Sequence, residues 1–350
     1  MTLSRRRLNR TLLLRQHLLE RVAMPPAAMV GHLVGLQAQE PLPPYLSLAA
    51  RLTDLDPHEV SAAIEDGALV RVLSLRDTVH LHLPEDAVTL PVWARPVRER
   101  EMRASQTIGA ARTVDRDAFT AAVDDVLAGG PLPQRRLGAA LAERFPDHTA
   151  AQLGGVARLL AVLAQLPPRG CWKPAGSTAV AYDFASRWTG LPLAEPDVPE
   201  IVRRYLRAYG PATAADVTAW SGITRLGPAL EAMDDLVRHE DEDGRPLYDV
   251  EGAPIADEDA PAPVRLLGSY DNVWLSHAAR DRVTAPEHRR LWMGANGAQA
   301  MSVYVDGWLT GLWRVEEGRV VLGEPVRRLT RAERADLDDE VARVEALLAR

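Results

Sequence analysis

The stretch Asp56-Pro57-His58-Glu59 opens a predicted helix that two short predicted strands follow. It supplies an N-cap, a proline at the first helical position and an acid in the first turn. The strands are Leu69-Val70-Arg71-Val72 and Thr78-Val79-His80-Leu81-His82-Leu83, with Arg76-Asp77 near the turn between them. Helices followed by a two-stranded ribbon are the winged-helix arrangement. The sequence therefore predicts a first winged helix within residues 1–110.

The sequence before this stretch predicts three more helices and carries a strong positive charge. Residues 3–22 place apolar side chains on one helical face, residues 25–36 begin at two prolines, and residues 45–52 follow a proline-rich turn. Between positions 5 and 21 there are six arginines and one glutamate, whereas residues 234–259 are mostly acidic. The sequence therefore predicts a surface that is polarised in charge.

The order of helices followed by strands returns in residues 111–192, the second predicted winged helix. Three helices and a ribbon are predicted there: residues 115–127, 134–144 and 150–166, then residues 170–173 with 180–182.

A third unit is predicted in residues 193–263. Its helices are residues 200–209, 213–220 and 224–239, with Ser221-Gly222-Ile223 as the turn before the last one. This spacing is typical of a helix-turn-helix, which also occurs as a purely structural element, so direct DNA reading by any one unit stays open. Residues 240–263 are rich in Asp, Glu, Gly and Pro and are predicted as a wing or loop.

The last part of the chain, residues 264–350, is predicted as a β-rich element with a C-terminal helix. The strands are residues 264–267, 301–305, 308–315 and 320–322, and the helix is residues 330–350. Asp306-Gly307 and Glu317-Gly318 have the composition of hairpin turns. The predicted fold is thus mainly α with β.

The composition favours a globular protein without a membrane span. The chain of 350 residues is 47% hydrophobic, which is ample for a core, and it has no run of 18 apolar residues. We expect no signal peptide and a cytoplasmic location. The single cysteine, Cys171, excludes an internal disulfide and a cysteine-based zinc cluster. The net charge of -7 argues against a uniformly basic nucleic-acid binder.

The pair Gln37 and Gln39 lies just before the proline-rich turn at Pro41. If the preceding helix ends near Leu36, the next residues are extended, and side chains two apart point the same way. Both amides would then face one cavity. The alternative is that they are ordinary surface glutamines at the end of a helix.

Five local sequences, taken in this order, resemble the AlkZ-like family of winged-helix DNA glycosylases. They are Leu36-Gln37-Ala38-Gln39 with Tyr45, Arg76-Asp77-Thr78-Val79-His80-Leu81, Tyr205-Leu206-Arg207-Ala208-Tyr209-Gly210-Pro211 with Asp216 and Trp220, Leu266-Leu267-Gly268-Ser269-Tyr270-Asp271 with Arg280-Asp281-Arg282, and Val305-Asp306-Gly307-Trp308-Leu309-Thr310-Gly311-Leu312-Trp313-Arg314. The resemblance predicts a glycine where this chain has Asp77.

The resemblance implies three tandem winged helices and a β-barrel-like element that form a C-shaped DNA-binding channel. It implies removal of N7-alkylated purines, including bulky adducts and interstrand cross-links, which in some members gives resistance to a genotoxic natural product. Catalysis would fall to Gln37 and Gln39, without a metal or a cofactor. The partner would be double-stranded DNA with such lesions, bound by a monomeric, nucleoid-associated bacterial protein.

We expect DNA contacts from the basic first helix and from residues of three later segments. These are Tyr45, Arg71, Arg76, His80, Arg280, Arg282, Asp306, Gly307, Trp308 and Arg314. The hairpin of residues 303–313 is predicted to expose Trp308 near its turn and to enter the minor groove, although barrel packing is an alternative.

The amide pair is chemically reasonable for such a substrate. A glutamine amide is no general base near neutral pH, so the substrate must already be activated. An N7-alkylpurine carries a positive charge that weakens its glycosidic bond, and two amide oxygens can hold the attacking water and favour a cationic sugar.

Other interpretations remain open for single residues and for the whole chain. His80 and His82 could share a metal, but packing is favoured, and Cys171 is expected to be buried. Asp271 could be catalytic, a helix cap or an ion-pair partner of Arg280 or Arg282. The chain could also be a transcriptional regulator that binds promoters as a dimer, or a non-catalytic scaffold.

Overall fold

A computed structural model describes residues 1–173, 179–294 and 299–350. The chain divides into two compact units. The first unit consists of Met1–Pro57, Asp197–Trp220 and Thr224–Arg350, and the second of His58–Pro196 and Ser221–Ile223. The bounds of the four predicted domains stay a prediction.

The first unit begins with two short strands and three helices, β1 (Thr2–Leu3), α1 (Arg5–Arg15), α2 (Pro26–His32), β2 (Leu36–Gln37) and α3 (Leu42–Ala49). The prediction of one helix over residues 3–22 is wrong, because His17 has a left-handed φ of 54° that ends the helical path after Arg15. Similarly, α2 ends before Val34 and Gly35, which have φ values of 51° and 101°.

The second unit combines helices with a sheet. Its elements are α4 (Pro57–Glu65), β3 (Val70–Leu73), β4 (Val79–His82), α5 (Pro84–Trp93), α6 (Arg95–Ala104), α7 (Arg116–Leu127), β5 (Leu132–Pro133), α8 (Gln134–Arg144), α9 (Ala150–Leu160), β6 (Leu163–Leu166), β7 (Ala181–Phe184) and α10 (Ala185–Thr189). The strands lie in the order β4-β3-β6-β7-β5, and each neighbouring pair is antiparallel. A core of buried side chains that includes Phe119, Leu137 and Leu153 joins α7, α8 and α9.

Two predictions for this unit are corrected. The helix predicted over residues 150–166 ends at Leu160, and residues 163–166 form β6. Pro167 follows this strand, and a proline disfavours helix in the residue before it. The ribbon partner of β7 is therefore β6 and not residues 170–173, which form a turn.

The remainder of the first unit contains a ribbon, a second sheet and the last helix. Its elements are α11 (Val198–Tyr209), α12 (Ala214–Ser221), α13 (Gly227–Glu231), β8 (Leu236–Asp241), β9 (Pro246–Val250), β10 (Arg265–Leu267), α14 (Asn272–Leu275), β11 (Met301–Val305), β12 (Trp308–Glu316), β13 (Arg319–Leu322) and α15 (Arg331–Ala349). The long helix predicted over residues 224–239 is wrong, because the sequence from Leu236 onward alternates between buried and accessible side chains, as a strand does. This strand, β8, pairs with β9 and lies parallel to β1.

The predicted β-rich element is present as a curled half-barrel of four antiparallel strands in the order β10-β11-β12-β13. Both predicted hairpin turns are confirmed: Asp306 and Gly307 have φ values of 51° and 76°, and Glu317 and Gly318 have values of 48° and 76°. Tight hairpins favour such positive φ values at both turn residues. The last predicted helix is α15, which Thr330 caps.

The winged-helix assignment and the C-shaped channel stay predictions. Within the described part of the chain, we find no helix with the length and apolar character needed to cross a membrane.

Candidate functional site

Gln37 and Gln39 lie where the chain of the first unit leaves β2 and turns towards α3. Gln37 is 8% exposed and Ala38 is fully buried, whereas Gln39 is exposed. The interpretation as surface glutamines at a helix end is wrong for Gln37, which lies inside the unit at the end of a strand. The prediction that both amides face one cavity stays a prediction.

The backbone just before Gln37 is held by side chains from α11 and α14. The Tyr209 hydroxyl donates a hydrogen bond of 2.5 Å to the Leu33 carbonyl. The Asn272 side-chain amide donates to the Gly35 carbonyl at 2.9 Å and to the Tyr209 hydroxyl at 2.7 Å. Tyr209 is fully buried and Asn272 is 2% exposed, so water does not compete for these bonds.

The helix that follows Gln39 is held by the residue before Asn272. Asp271 accepts hydrogen bonds from the Ser47 hydroxyl at 2.6 Å and from the Arg51 guanidinium at 2.8 and 2.9 Å. Burial alone would raise the pKa of Asp271, but the Arg51 charge and these hydrogen bonds hold that pKa below its ordinary value. Asp271 also caps α14 through the Val273 amide, as one of the alternatives proposed. Its ion-pair partner is Arg51, so the expected pairing with Arg280 or Arg282 is wrong.

Sequence reasoning did not single out Asn272, Tyr209 or Arg51 as site residues. Their positions did carry a signal, since Asn272 directly follows the motif that ends at Asp271 and Tyr209 lies within the motif of residues 205–211.

Most of the arginines of α1 pair with acidic residues of the first unit. Arg15 makes a buried two-pronged pair with Asp249, with both N–O distances 2.7 Å. Arg5 pairs with Glu242 at 3.2 Å on the surface. Glu242 and Asp249 belong to the acidic segment of residues 234–259. Ion pairs between this segment and α1 therefore neutralise much of the charge difference that was expected between them. DNA binding by Arg10 and Arg15 is not supported, because both side chains are buried.

The hairpin turn between β11 and β12 is covered by α1. Asp306 bonds to Arg6 at 3.0 Å and to Arg10, and the Asn9 amide donates to the Gly307 carbonyl at 2.8 Å. A Cβ atom on Gly307 would overlap the Asn9 and Arg10 side chains. The expectation of a fully exposed tip is therefore wrong, because Gly307 is buried, and entry into a minor groove stays a prediction.

Trp308, at the start of β12, is half-buried. Packing is favoured for Asp306 and Gly307, because α1 contacts both residues, whereas a DNA contact by Trp308 stays a prediction.

Arg71, Arg76 and His80 lie in the β3–β4 hairpin of the second unit or its turn. Arg71 is 2% exposed and donates to the Gln165 side chain at 3.3 Å. Arg76 is half-buried and donates to His80 Nε2 at 3.0 Å, which leaves Nδ1 to donate to the Thr78 carbonyl at 3.0 Å. Burial lowers the pKa of His80 well below its ordinary value, so the ring is neutral at pH 7.

The His80 and His82 rings stack at 5.5 Å between centroids in this buried position. This agrees with the packing interpretation for the two histidines. DNA binding by Arg71, Arg76 and His80 stays a prediction, and the burial of Arg71 and His80 favours a role in the fold.

Asp77 occupies the strained turn between the two strands, with a φ of 57°. Its Oδ1 atom is buried and makes no hydrogen bond to any residue that the structure describes. Burial, aided by the nearby Glu101 carboxylate, raises the pKa of Asp77 from 3.8 to about 6. A glycine, which the family resemblance predicts here, would have neither the strain nor the buried charge.

The other predicted DNA contacts differ in their exposure. Tyr45 and Arg282 are buried, and Arg282 donates to the Pro211 carbonyl at 2.8 Å. Arg280 is half-buried with its guanidinium 5.5 Å from the centre of the Trp274 ring, and burial lowers its pKa to about 10. Arg314 is exposed and bonds to Glu316 at 2.6 Å.

No group of three or more His, Cys, Asp or Glu side chains that could hold a metal occurs among the described residues. Cys171 is buried as expected, and this burial raises the pKa of its thiol to about 11.

The family model that matches most of this chain describes a class of DNA-repair hydrolases, the DNA glycosylases. Residues 30–347 match the family model described as DNA glycosylase AlkZ-like, and the chain therefore belongs to the AlkZ-like DNA glycosylase family.

Two comparisons with proteins of Streptomyces sahachiroi agree with this assignment. The chain is 29% identical over 331 residues to an interstrand DNA cross-link repair glycosylase, a match that covers 88% of this chain and 87% of the relative. It also resembles the solved structure of the DNA glycosylase AlkZ, with a TM-score of 0.79, 24% identity, and coverage of 100% of this chain and 98% of the other. The structural match shows that the two proteins share a fold.

Proposed function

We propose that this glycosylase hydrolyses the N-glycosidic bond of N7-alkylated purines in duplex DNA, including bulky adducts and interstrand cross-links. The family assignment supports the reaction class, and the name of the Streptomyces sahachiroi relative supports cross-links as substrates. A cross-link between two purines is unhooked when either glycosidic bond is broken, so one reaction type serves both lesions.

The substrate supplies the activation that the site residues do not. Alkylation at N7 gives the base a positive charge, and the base departs as a neutral molecule that needs no strong acid. The transition state places positive charge on the sugar. The enzyme must therefore hold a water near the anomeric carbon and surround the sugar with oxygen atoms that favour a cation.

Gln37 and Gln39 are proposed to supply those oxygens. The observation that carries the assignment is the position of Gln37, an amide inside the unit on a strand whose preceding backbone is fixed by buried hydrogen bonds. Gln39, two residues on, is accessible from outside. Gln37 would therefore be held inside the unit, and Gln39 would lie at the surface on which DNA would bind. Because neither amide titrates near neutral pH, the pair works through hydrogen bonds and dipoles alone.

We propose that the protein binds the duplex through its helices followed by two-stranded ribbons, which would act as winged helices. It would do so as a monomer in the bacterial cytoplasm. Exposed or half-buried arginines can reach phosphates without breaking the fold, and among the predicted contacts these are Arg76, Arg280 and Arg314. The proposed reaction is monofunctional and independent of metal, so it leaves an abasic site in an unbroken strand.

The test uses a duplex that carries one N7-methylguanine, with the free base quantified by chromatography and abasic sites revealed by alkaline cleavage. The wild-type chain should release the base with or without EDTA, and strands should break only after alkali. Gln37→Ala and Gln39→Ala should each lower the rate on the order of 10²-fold or more. Gln106→Ala, at an exposed glutamine of the second unit, is the matched control and should leave the rate unchanged.

Three outcomes would contradict parts of this proposal. DNA binding without base release by the wild-type chain would favour the regulator interpretation. Wild-type rates in both catalytic variants would remove the assignment of the amide pair. Strand cleavage before alkali would show that the enzyme is not monofunctional.

A further inference from the structure

We propose that Asn272 and Tyr209 are positioning residues that hold the Gln37-Ala38-Gln39 segment in its catalytic path. The inference rests on the proposed catalytic role of Gln37 and Gln39. It adds two residues that contact neither the water nor the sugar but set the backbone from which the first amide extends.

The backbone before Gln37 needs such support because it is strained. Val34 has a φ of 51°, a conformation that β-branched residues strongly avoid, and Gly35 follows with a φ of 101°. Residues in such conformations persist only when the surrounding structure fixes them, and they are often found where a site must be pre-organised. The strain lies two and three residues before Gln37, so relaxation there would move the amide directly.

The support is a directed chain of buried hydrogen bonds. The Asn272 amide has two N–H donors, which go to the Gly35 carbonyl and the Tyr209 hydroxyl. The Tyr209 hydroxyl in turn donates a hydrogen bond to the Leu33 carbonyl. The carbonyls on both sides of Val34 are thus held by one pair of side chains, and since both side chains are buried, water cannot replace them.

The same two-residue segment also holds the other flank of the motif. Asp271, next to Asn272, binds Ser47 and Arg51 at the C-terminal end of α3. Residues 271–272 therefore contact the chain both before Gln37 and after Gln39. With both flanks tied to one point, the segment between them has little freedom to shift, which positional catalysis requires.

The test compares two fully buried tyrosine hydroxyls of α11. Both donate to a backbone carbonyl, and that of Tyr209 also accepts from Asn272. Tyr209→Phe removes the hydroxyl that binds Leu33. Tyr205→Phe is the matched control, because Tyr205 is also fully buried and its hydroxyl also donates to a carbonyl, that of Ser276 at 2.6 Å. Ser276 is not on the strand that carries the glutamines. It bonds to the backbone carbonyl of Asn272 and not to the side-chain amide that holds Gly35.

We expect Tyr209→Phe to lower the single-turnover rate of base release at saturating enzyme by about 10- to 100-fold, because a displacement of ~1 Å has effects of that size. The Kd for the lesion duplex should change less than about twofold, since the hydroxyl is fully buried within the first unit. Tyr209→Phe should lose somewhat more thermal stability than Tyr205→Phe, because its hydroxyl makes one more hydrogen bond, and the rate of Tyr205→Phe should remain that of the wild type.

Asn272→Ser is a second variant, which keeps one short hydrogen-bond donor and tests the positioning role even if Tyr209→Phe does not fold. Its rate of base release should lie between those of the wild type and Tyr209→Phe. The double variant should be no slower than the slower of the two single variants, because both residues act through one chain. Non-additivity of this kind would not arise from two independent losses of stability.

Two results would overturn the inference. One is a wild-type rate in Tyr209→Phe or Asn272→Ser while Gln37→Ala is inactive. The other is an equal loss of rate in Tyr205→Phe and Tyr209→Phe, which would show a general effect of stability. Failure of the proposed function would look different, since the wild-type chain itself would then release no alkylated base.

Discussion

Replacement of Asp77 by asparagine tests the physical account of the β3–β4 turn. The change keeps the size of the side chain and a residue type that tolerates a φ of 57°, so it removes mainly the charge. Because the folded-state pKa of about 6 lies above the ordinary value of 3.8, the folded state holds the proton more tightly than the unfolded state. The stability that this group contributes is complete below about pH 4 and is lost as the pH rises through about 6.

The size of the effect follows from the difference between the two pKa values. A difference of about 2.2 corresponds to about 3 kcal/mol at a pH above both values. The carboxylate is only partly buried, and solvent screening reduces this upper bound to about 1 kcal/mol. We therefore expect Asp77→Asn to raise the free energy of unfolding by about 1 kcal/mol at pH 7.5 and to leave it almost unchanged at pH 4.

The assay is urea unfolding of the wild-type chain and the variant at both pH values, followed by circular dichroism. Asp77→Gly is a second variant to compare. It also relieves the positive φ, which stabilises the folded state by about 1 kcal/mol, but it increases the freedom of the unfolded chain, which destabilises the fold by about as much. An equal effect of Asp77→Asn at both pH values, or destabilisation at pH 7.5, would show that the Asp77 charge does not destabilise the folded state.

Three further predictions concern charge and catalysis. Asp249→Asn should destabilise the first unit by about 3 kcal/mol because it leaves the buried Arg15 without its charge partner, whereas Glu242→Gln at the surface should cost under about 1 kcal/mol; similar values in thermal melts would show that burial is not decisive. The affinity for undamaged duplex should fall with salt with a slope of about 0.9 per neutralised phosphate, and Arg314→Gln should reduce that slope by at most about one without changing Tm; a salt-independent Kd would contradict binding through phosphates. Gln39→Asp should retain base release, because carboxylate oxygens can also hold the attacking water and favour a cationic sugar; complete loss in the single-turnover assay, with Tm unchanged, would contradict this role of position 39.

Sequence patterns predicted the elements whose signals are local. The hairpins at Asp306-Gly307 and Glu317-Gly318, the helix over residues 134–144 and the C-terminal helix predicted over residues 330–350 all follow from turn chemistry or apolar spacing within a few residues. The order of several short motifs gave the family, which the family model confirms.

The failures share a physical cause, which is that long-range contacts decide the outcome. The arginines before residue 22 suggested a DNA-binding helix, but the acidic partners that bury Arg10 and Arg15 come from more than 200 residues away in the chain. The turn at Asp306-Gly307 was predicted correctly as a turn and wrongly as an exposed tip, because nothing in its own sequence reveals that α1 covers it. The hydrogen bonds that Asn272 and Tyr209 make to the Gly35 and Leu33 carbonyls also join segments far apart in the chain, so local sequence does not predict them.

The central claim is most directly tested on a duplex that carries a single interstrand cross-link through guanine N7 atoms. Incubation with excess wild-type chain, followed by a denaturing gel, should convert the slow cross-linked band into single strands, one of which retains the adduct. The double variant Gln37→Ala/Gln39→Ala should bind the same duplex and leave the band intact. A cross-linked band that persists with bound wild-type chain, or that disappears equally with the double variant, would contradict the account.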